Sequence, residues 1–103
     1  MTEKKTPTHD LAAFKAAMSD RSKLNATGVA IRDAAALGFG SDEIVAAIQT
    51  MAPKHFYKSM TSNYDHKVWQ DVYFVPSTAG ELYIKFTGDP VFGFRVLSFK
   101  EKT

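Results

Sequence analysis

The spacing of apolar residues changes at Pro53, and this change constrains the fold more than any other feature of the sequence. Before Pro53, apolar residues recur every three or four positions, as they do on one face of a helix. After Pro53 they alternate with polar residues, most clearly in GELYIKFTG, where Leu82, Ile84 and Phe86 share one face. Helices followed by short-turned strands predict an α+β fold, with N-terminal helices packed on a twisted C-terminal antiparallel β-sheet.

Three helices are expected before Pro53, each beginning after a residue whose side-chain oxygen can bind backbone N–H groups. The predicted N-caps are Thr8, Thr27 and Ser41. The predicted inward-facing residues are Leu11, Phe14 and Met18 on the first helix, Val29, Ile31, Ala34 and Ala35 on the second, and Ile44, Ile48 and Met51 on the third. The first helix should stop near 19–20, and Gly38 should end the second in the left-handed conformation. Residues 21–26 form a connector or a brief strand.

Four strands are expected after Pro53, at 57–64, 67–75, 80–88 and 91–100. The first two are joined around Asp65 and His66, and the other turns fall at 76–80 and 88–90. The last strand is apolar on both faces, which predicts a central position in the sheet. The length of 103 residues is that of a single domain, 1–103, in which residues 1–7 are read as a flexible tail.

Composition excludes several classes of protein. Cysteine is absent, which excludes disulfides, thiolate zinc sites and a cysteine nucleophile. No apolar run reaches about 18 residues, and the opening MTEKKTPTHD lacks the apolar core of a signal peptide, so a cytoplasmic protein without membrane contact is expected. The net charge of +2 comes entirely from residues 51–103, with seven Lys/Arg against five Asp/Glu, a weak indication of an anionic partner.

The sheet face opposite the apolar one would carry lysines and rings. The strands offer Lys58, Gln70, Tyr83, Lys85 and Lys100 to this face. Lysines bind phosphates and aromatic rings stack on unpaired bases, so such a face suits RNA. The candidate stacking rings are Tyr57, Tyr64, Trp69, Tyr73 and Tyr83. For any single ring, half-burial in a strand is the commoner explanation, and a one-residue slip of register would reverse every face.

A metal site is not expected, although Asp65, His66 and Asp71 lie close together in the sequence. Their spacing matches no ligand pattern, and the other histidines, His9 and His55, belong to the helical part of the chain or its end. A glycine-rich phosphate loop and a serine nucleophile motif are also absent from the sequence. The residues alone therefore indicate a basic, ring-bearing sheet face suited to RNA, without a cofactor.

Several motifs resemble the MqsR family, the toxins of a bacterial type II toxin–antitoxin pair. FYKSMT, DH, WQDVY, LYIKF and VLSFKEK carry the resemblance, together with the opening MTEKKTPTHDL. It covers nearly the whole chain and is densest at 56–73 and 97–102. The resemblance implies a RelE-like α+β fold and mRNA interferase activity, which is metal-independent endoribonuclease cleavage using the RNA 2′-hydroxyl, with a preference for GCU.

The resemblance also implies which residues act. The catalytic candidates are Lys58 in FYKSM, Gln70 in WQDVY, Tyr83 in the LY-x-K strand and Lys100 in SFKEK. The lysines would stabilise developing negative charge, the tyrosine would donate or accept a proton, and the glutamine would position the RNA. The further candidates for RNA contact are Tyr57, Met60 and Lys85. A lysine or tyrosine acting as a base at neutral pH needs a depressed pKa, for which two nearby lysines could supply the field.

A toxin of this kind implies an antitoxin. The resemblance points to an MqsA-like partner that joins a zinc-binding domain to a helix-turn-helix domain, so that any DNA contact would be indirect. An exposed sheet edge is the expected docking place. Two alternatives remain open at this point, a non-catalytic RNA-binding module and a protein-interaction module on the same face.

The sequence departs from the family pattern at two places. The last hairpin, FTGDPVFGFRVLSF, is longer than expected, and Arg95 stands where an aliphatic residue is expected, either as a phosphate contact or as a strand residue paired elsewhere. The turn residues SNY at 62–64 also differ. These departures bear on the cleavage sequence more than on the activity.

Overall fold

The protein is an α+β structure in which helices cover one face of an antiparallel sheet, as predicted. The computed structural model describes residues 2–103, and Met1 lies outside the described part. The helices are α1 (Leu11–Ala17), α2 (Gly28–Ala36) and α3 (Ser41–Gln49). The strands are β1 (Glu3–Lys4), β2 (Phe56–Thr61), β3 (Trp69–Ser77), β4 (Gly80–Asp89) and β5 (Gly93–Glu101), adjacent in that order. Short 3₁₀ turns lie at Arg21–Lys23 and Pro53–His55.

The core lies between the three helices and the sheet. The predicted alternation in β4 is confirmed, because Leu82, Ile84 and Phe86 are fully buried against the helices. Phe14 of α1 stacks on Phe86 with ring centroids 3.7 Å apart. The other predicted core residues that are buried include Met18, Ala34, Ile44, Ile48 and Met51. Side chains of opposite parity on the strands therefore point away from the helices.

Two of the predicted helix caps are wrong. Thr27 caps α2 as expected, but α1 begins after Asp10 and α3 begins after Gly40. Thr8 cannot cap α1 because its N–H and hydroxyl groups are bonded to side chains of the sheet. Ser41 is the first residue of α3 rather than its cap. The cap is Gly40, whose N–H donates a hydrogen bond to the side chain of Glu43 in the first turn of the helix.

The buried face of α2 differs from the predicted one. Ala30 and Ala34 are buried, whereas Val29 and Ile31 are 51% and 38% exposed and Ala35 is also exposed. Helix α2 packs on β5, and the small side chains of Ala30 and Ala34 lie in this contact. Periodicity correctly placed one residue of this face and misjudged the rotation of the helix.

Strand β5 lies at the end of the sheet, so the prediction of a central last strand is wrong. On its outer side the described chain forms a single parallel bridge, between Ala26 and Val96. A bulge in β5 between Val96 and Ser98 places both Val96 and Phe99 on the core side, although they are three residues apart. Apolar residues therefore occur at both odd and even positions of β5 because the bulge shifts the register of the strand.

The prediction of a flexible tail at 1–7 is wrong for the residues that the structure describes. Glu3 and Lys4 form β1 and pair with Met60 and Ser59 of β2. The segment that follows is held by Asp71, which lies on the core side of β3 and accepts the backbone N–H groups of residues 8 and 9. These contacts join residues more than 50 positions apart, so the local sequence carries no sign of them.

The β2–β3 connection is longer than predicted. Strand β2 ends at Thr61 and β3 begins at Trp69, so residues 62–64 and 67–68 belong to the loop rather than to strands. Within residues 2–103, no helix combines the length and the apolar character that crossing a membrane requires.

Candidate active site

The sheet has an open face, the side away from the helices, and a bulge in β2 decides what this face carries. The pairing of β2 with β3 shifts between Phe56 and Lys58. Phe56 packs edge-on against Tyr73 in the core, whereas the Tyr57 ring stacks on Phe74 with centroids 4.3 Å apart. The bulge therefore places Tyr57 and Lys58, two consecutive residues, on the open face together.

Cross-strand pairing arranges the open face in three rows. The first row is Phe74, Tyr83 and Lys100, with Tyr57 stacked at its end; the second is Lys58, Val72, Lys85 and Ser98; the third is Met60, Gln70, Thr87 and Arg95. Neighbours within a row are about 5 Å apart and successive rows about 7 Å apart. All seven predicted catalytic and RNA-contacting residues lie on this one face, grouped around Lys85.

Lys85 is the lysine at the centre of the open face, and its pKa is lowered. Burial is the main cause, and the positive charges of Lys100 and Lys58 add to it. The pKa of Tyr83 is raised by burial, which outweighs the opposing effect of Lys58. A field of two lysines was expected to lower the pKa of a lysine or a tyrosine, and here two lysines lower the pKa of a third lysine. Lys85 therefore gives up its proton more easily than an ordinary lysine does.

Lys58 is held by Glu3, a residue that sequence reasoning missed. The Lys58 Nζ donates to the Glu3 carboxylate at 2.6 Å, and this bond is the main cause of the raised pKa of Lys58. The lysine side chain is only 17% exposed. This ion pair forms because β1 lies beside β2, and no local pattern in the sequence predicts that the two strands are neighbours. Lys58 therefore stays protonated and has a fixed direction on the open face.

Several cations of this face lie over its rings. The Lys100 Nζ lies 5.2 Å from the centre of the Tyr83 ring, and the Lys58 Nζ lies 5.3 Å from that of Tyr57. Lys5 approaches the Tyr57 ring at 4.7 Å. Cation–π contacts of this kind keep positive charge beside a flat apolar surface. The arrangement suits a single-stranded nucleic acid, whose phosphates and bases alternate along one strand.

Two of the five candidate stacking rings are not on this face. Tyr73 is buried in the core, where burial raises its pKa to about 12, so its prediction as an RNA-stacking ring is wrong. Trp69 shares the parity of Tyr73 and lies under Lys4 on the helix side of the sheet. Tyr64 is fully exposed in the β2–β3 loop and lines a cleft of about 190 Å³ together with Gln70 and Lys85.

The three residues that resemble a metal cluster in the sequence lie apart. Asp71 is buried on the core side of β3, where its carboxylate accepts hydrogen bonds from three donors, the N–H groups of Thr8 and His9 and the hydroxyl of Ser59. Asp65 and His66 are exposed in the β2–β3 loop, and Asp65 accepts the N–H of Lys67. Across residues 2–103, no three side chains of the metal-binding types converge.

Comparison with known proteins decides the family. Residues 6–101 match the family described as "Motility quorum-sensing regulator, toxin of MqsA". The chain belongs to the MqsR toxin family. A relative from Escherichia coli (strain K12), named mRNA interferase toxin MqsR, is 35% identical over 100 residues, which cover 97% of this chain and 99% of the relative. The resemblance seen in FYKSMT, WQDVY and VLSFKEK is confirmed.

Because the chain belongs to the MqsR family, the placement of the residues that the resemblance singled out can be compared with the open face. The four residues that the resemblance singled out stand on four adjacent strands, β2 to β5, and none is turned into the core. Arg95, where the sequence departs from the family pattern, ends the third row of the same face.

Proposed function

We propose that this protein is an mRNA interferase, a metal-independent endoribonuclease that cuts messenger RNA and so arrests translation and growth. The observation that carries the proposal is the grouping of Lys58, Gln70, Tyr83 and Lys100 around Lys85 on one open face. The name of the Escherichia coli relative supports the reaction class.

The reaction needs no nucleophile from the protein, because RNA carries one. The 2′-oxygen attacks the adjacent phosphorus and loses its proton to a base, and the bond from phosphorus to the 5′-oxygen breaks as that oxygen gains a proton. The products are a 2′,3′-cyclic phosphate and a 5′-hydroxyl. The protein accelerates the reaction by aligning the strand, stabilising the added negative charge and moving the two protons.

The electrostatics of the open face favour particular roles for its residues. Lys85 accepts the 2′-hydroxyl proton, since its lowered pKa increases the neutral fraction. Tyr83 keeps its proton because its pKa is raised, and it donates that proton to the 5′-oxygen. Lys58 and Lys100 stabilise the charge on the phosphate oxygens. Gln70 holds the strand in line.

Base recognition falls to the periphery of this group. Tyr57 offers a ring for stacking, and Met60 adjoins Gln70 across the pairing of β2 and β3. A preference for GCU-type sites follows from the family resemblance. The departures at 62–64 and in the last hairpin border the clefts at the two ends of the third row, so these are the places where the preference would differ.

We further propose an MqsA-like antitoxin as the partner, consistent with the family description as a toxin of MqsA. Its zinc-binding domain would bind this chain, and its helix-turn-helix domain would provide any DNA contact. The cytoplasm is the proposed place of action, since messenger RNA is the substrate.

Cleavage of a long messenger RNA in the presence of EDTA tests the reaction. Lys58→Ala and Tyr83→Phe should each lower the cleavage rate about a hundredfold, since each removes charge stabilisation or a proton donor. Lys54→Ala, an exposed lysine outside the open face, is the matched control and should cut normally. New ends are mapped by sequencing, and their chemistry by labelling of the 5′-hydroxyl.

The outcomes separate the alternatives. RNA that is bound but left intact would indicate a non-catalytic RNA-binding module, and a lack of RNA affinity would indicate a protein-interaction module. Equal cutting by Lys58→Ala, Tyr83→Phe and the wild-type protein would point to a contaminating nuclease. Cutting that stops in EDTA would contradict a metal-independent reaction.

Expression in a bacterial host tests the partner. The wild-type chain should arrest growth, and co-expression of an MqsA-like antitoxin should restore it and yield a complex that co-purifies. Tyr83→Phe should not arrest growth but should still bind the antitoxin, because the substitution keeps the ring and its packing. Continued growth with the wild-type chain alone, at a verified protein level, would contradict the proposal.

A further inference from the structure

The third row of the open face ends at a second cleft, beyond the proposed catalytic group. This cleft has a volume of about 440 Å³, and its lining residues are Asn25, Thr87, Asp89, Phe92, Gly93 and Arg95. Arg95 pairs with Thr87, which pairs with Gln70 on its other side. Two strand spacings, about 10 Å, therefore separate Arg95 from Gln70. A strand lying along this row would pass directly from the proposed active site into the cleft.

Arg95 and Phe92 offer the cleft a cation and an apolar ring. Arg95 is exposed, and no carboxylate of residues 2–103 lies within ion-pairing distance of its guanidinium group. Phe92 is 83% exposed at the tip of the β4–β5 hairpin. A guanidinium group binds phosphate oxygens through paired N–H donors, and an exposed ring stacks on a base of any identity. The two residues together match the two halves of a nucleotide.

Asp89 is the carboxylate in the lining, and the turn engages it. Its Oδ1 accepts the N–H groups of Val91 and Phe92 at 2.7 and 2.9 Å. These bonds lower the pKa of Asp89 and fix the backbone that carries the Phe92 ring. The negative charge nevertheless opposes a bound phosphate, so Asp89 supports the ring and weakens the anion site.

We propose that this cleft is a subsite for one nucleotide of the RNA strand, beside the cleaved bond, in which Arg95 binds the phosphate and Phe92 stacks on the base. The inference rests on the proposed function, because the third row leads a strand into the cleft only if RNA lies on the open face. The subsite lengthens the RNA footprint and tightens binding without taking part in the proton transfers. It gives the longer last hairpin and its arginine a role in holding substrate.

Binding of a non-cleavable RNA tests the subsite, using an oligonucleotide with a 2′-deoxy sugar at the mapped cleavage position. Arg95→Gln should weaken binding roughly tenfold, and the slope of log affinity against log salt should fall by about 0.7, the value for one phosphate contact on a single strand. Phe92→Ser should weaken binding by a similar factor, roughly tenfold, through lost stacking. Asp89→Asn keeps an acceptor for the turn and should bind RNA more tightly.

Matched controls and truncated substrates make the result specific. Arg32→Gln removes an exposed arginine of α2, and Val91→Ser removes the other exposed apolar side chain of the hairpin tip. Both should bind RNA as the wild-type protein does. With cleavable RNA, Arg95→Gln should raise KM far more than it lowers kcat. The penalty should vanish on substrates shortened from one end, which identifies the end that the cleft holds.

The outcomes distinguish the subsite from the proposed function. If the wild-type protein cuts RNA and Arg95→Gln matches Arg32→Gln, the subsite is overturned and the function stands. If the wild-type protein binds RNA without cutting it, the function falls and the binding comparison still decides the subsite. Absence of RNA binding overturns both. Loss of antitoxin binding by Arg95→Gln, with RNA binding intact, assigns the cleft to the protein partner and overturns the subsite.

Discussion

Replacement of Lys85 by methionine is expected to slow RNA cleavage at least about a hundredfold, the usual contribution of a positioned proton acceptor. Methionine keeps the length and the apolar stem of the side chain, so packing on the open face is preserved. Single-turnover kinetics on a short RNA would measure the change in the chemical step. Binding of the 2′-deoxy RNA, measured in parallel, separates lost chemistry from lost affinity.

The dependence of the rate on pH identifies the role of Lys85. A base must be neutral to act, so the wild-type rate should rise with pH up to the pKa of Lys85, which lies below the ordinary value of 10.5. Lys85→Met should remove this rising limb. Lys58→Ala should move it to higher pH, because one of the charges that lower the pKa of Lys85 is then absent.

Lys85→Arg is the matched control, because arginine keeps the positive charge and holds its proton at every accessible pH. If Lys85 is the base, Lys85→Arg should be nearly as slow as Lys85→Met. An arginine variant that kept more than about a tenth of the wild-type rate would contradict the role. Each pKa unit changes the fraction of neutral base about tenfold, and the pKa of an arginine is higher than that of Lys85.

Replacement of Lys85 should change stability in the opposite direction to activity. The pKa of Lys85 is lower in the folded chain than in the unfolded one, so the unfolded chain binds more protons between the two values, and stability rises with pH across that window. Below the window, where Lys85 is protonated in both states, the half-buried ammonium group weakens the fold. Lys85→Met should therefore melt at the same temperature as the wild-type protein or higher, as expected for a functional residue held at some cost.

The order of elements could be predicted from the sequence because it depends on local periodicity. The alternation of Leu82, Ile84 and Phe86 and the left-handed Gly38, with φ of 86°, were both confirmed. The position of β5 at the end of the sheet could not be predicted, because a strand that is apolar at both parities resembles a central one. Only the bulge beside Val96 explains its composition, and bulges leave no periodic signal.

The open face was predictable in composition but not in arrangement. Family motifs singled out Lys58 and Tyr83, yet nothing local indicated that Tyr57 and Lys58 point the same way or that Glu3 binds the lysine. The pKa of Lys85 likewise depends on two lysines brought close by pairing across strands. Properties that depend on non-local pairing were the ones that sequence reasoning missed.

Asp71 shows the same limit most clearly. In the sequence it stands beside Gln70, and it is considered only as a member of a metal cluster with Asp65 and His66. In the structure it is fully buried on the other side of β3, where it accepts N–H groups from Thr8 and His9 and the hydroxyl of Ser59. Buried carboxylates are uncommon, and their partners here come from the far end of the chain. Asp71 thus links the N-terminal segment, and through it Glu3, to the sheet.

Replacement of Asp71 by alanine is accordingly expected to lower the free energy of unfolding by about 3 kcal/mol, because charge-assisted hydrogen bonds are lost and their part-buried or buried donors are left without this acceptor. In a chain of this size the melting temperature should fall by more than about 10 °C. Urea denaturation measures the free energy of unfolding and thermal denaturation measures the melting temperature, both followed by circular dichroism. Limited proteolysis should cut the segment before α1 much faster than in the wild-type protein, because β1 then separates from β2.

Two further variants test whether this loss of stability is specific to the hydrogen bonds between Asp71 and the N-terminal segment. Asp65→Ala removes an exposed carboxylate of the β2–β3 loop and should change stability by less than about 0.5 kcal/mol. Asp71→Asn keeps one acceptor oxygen and should fall between the alanine variant and the wild-type protein. Release of β1 also frees Lys58 from Glu3, so cleavage by Asp71→Ala should weaken even well below its melting temperature. Wild-type stability in Asp71→Ala would show that the N-terminal segment is held by other contacts.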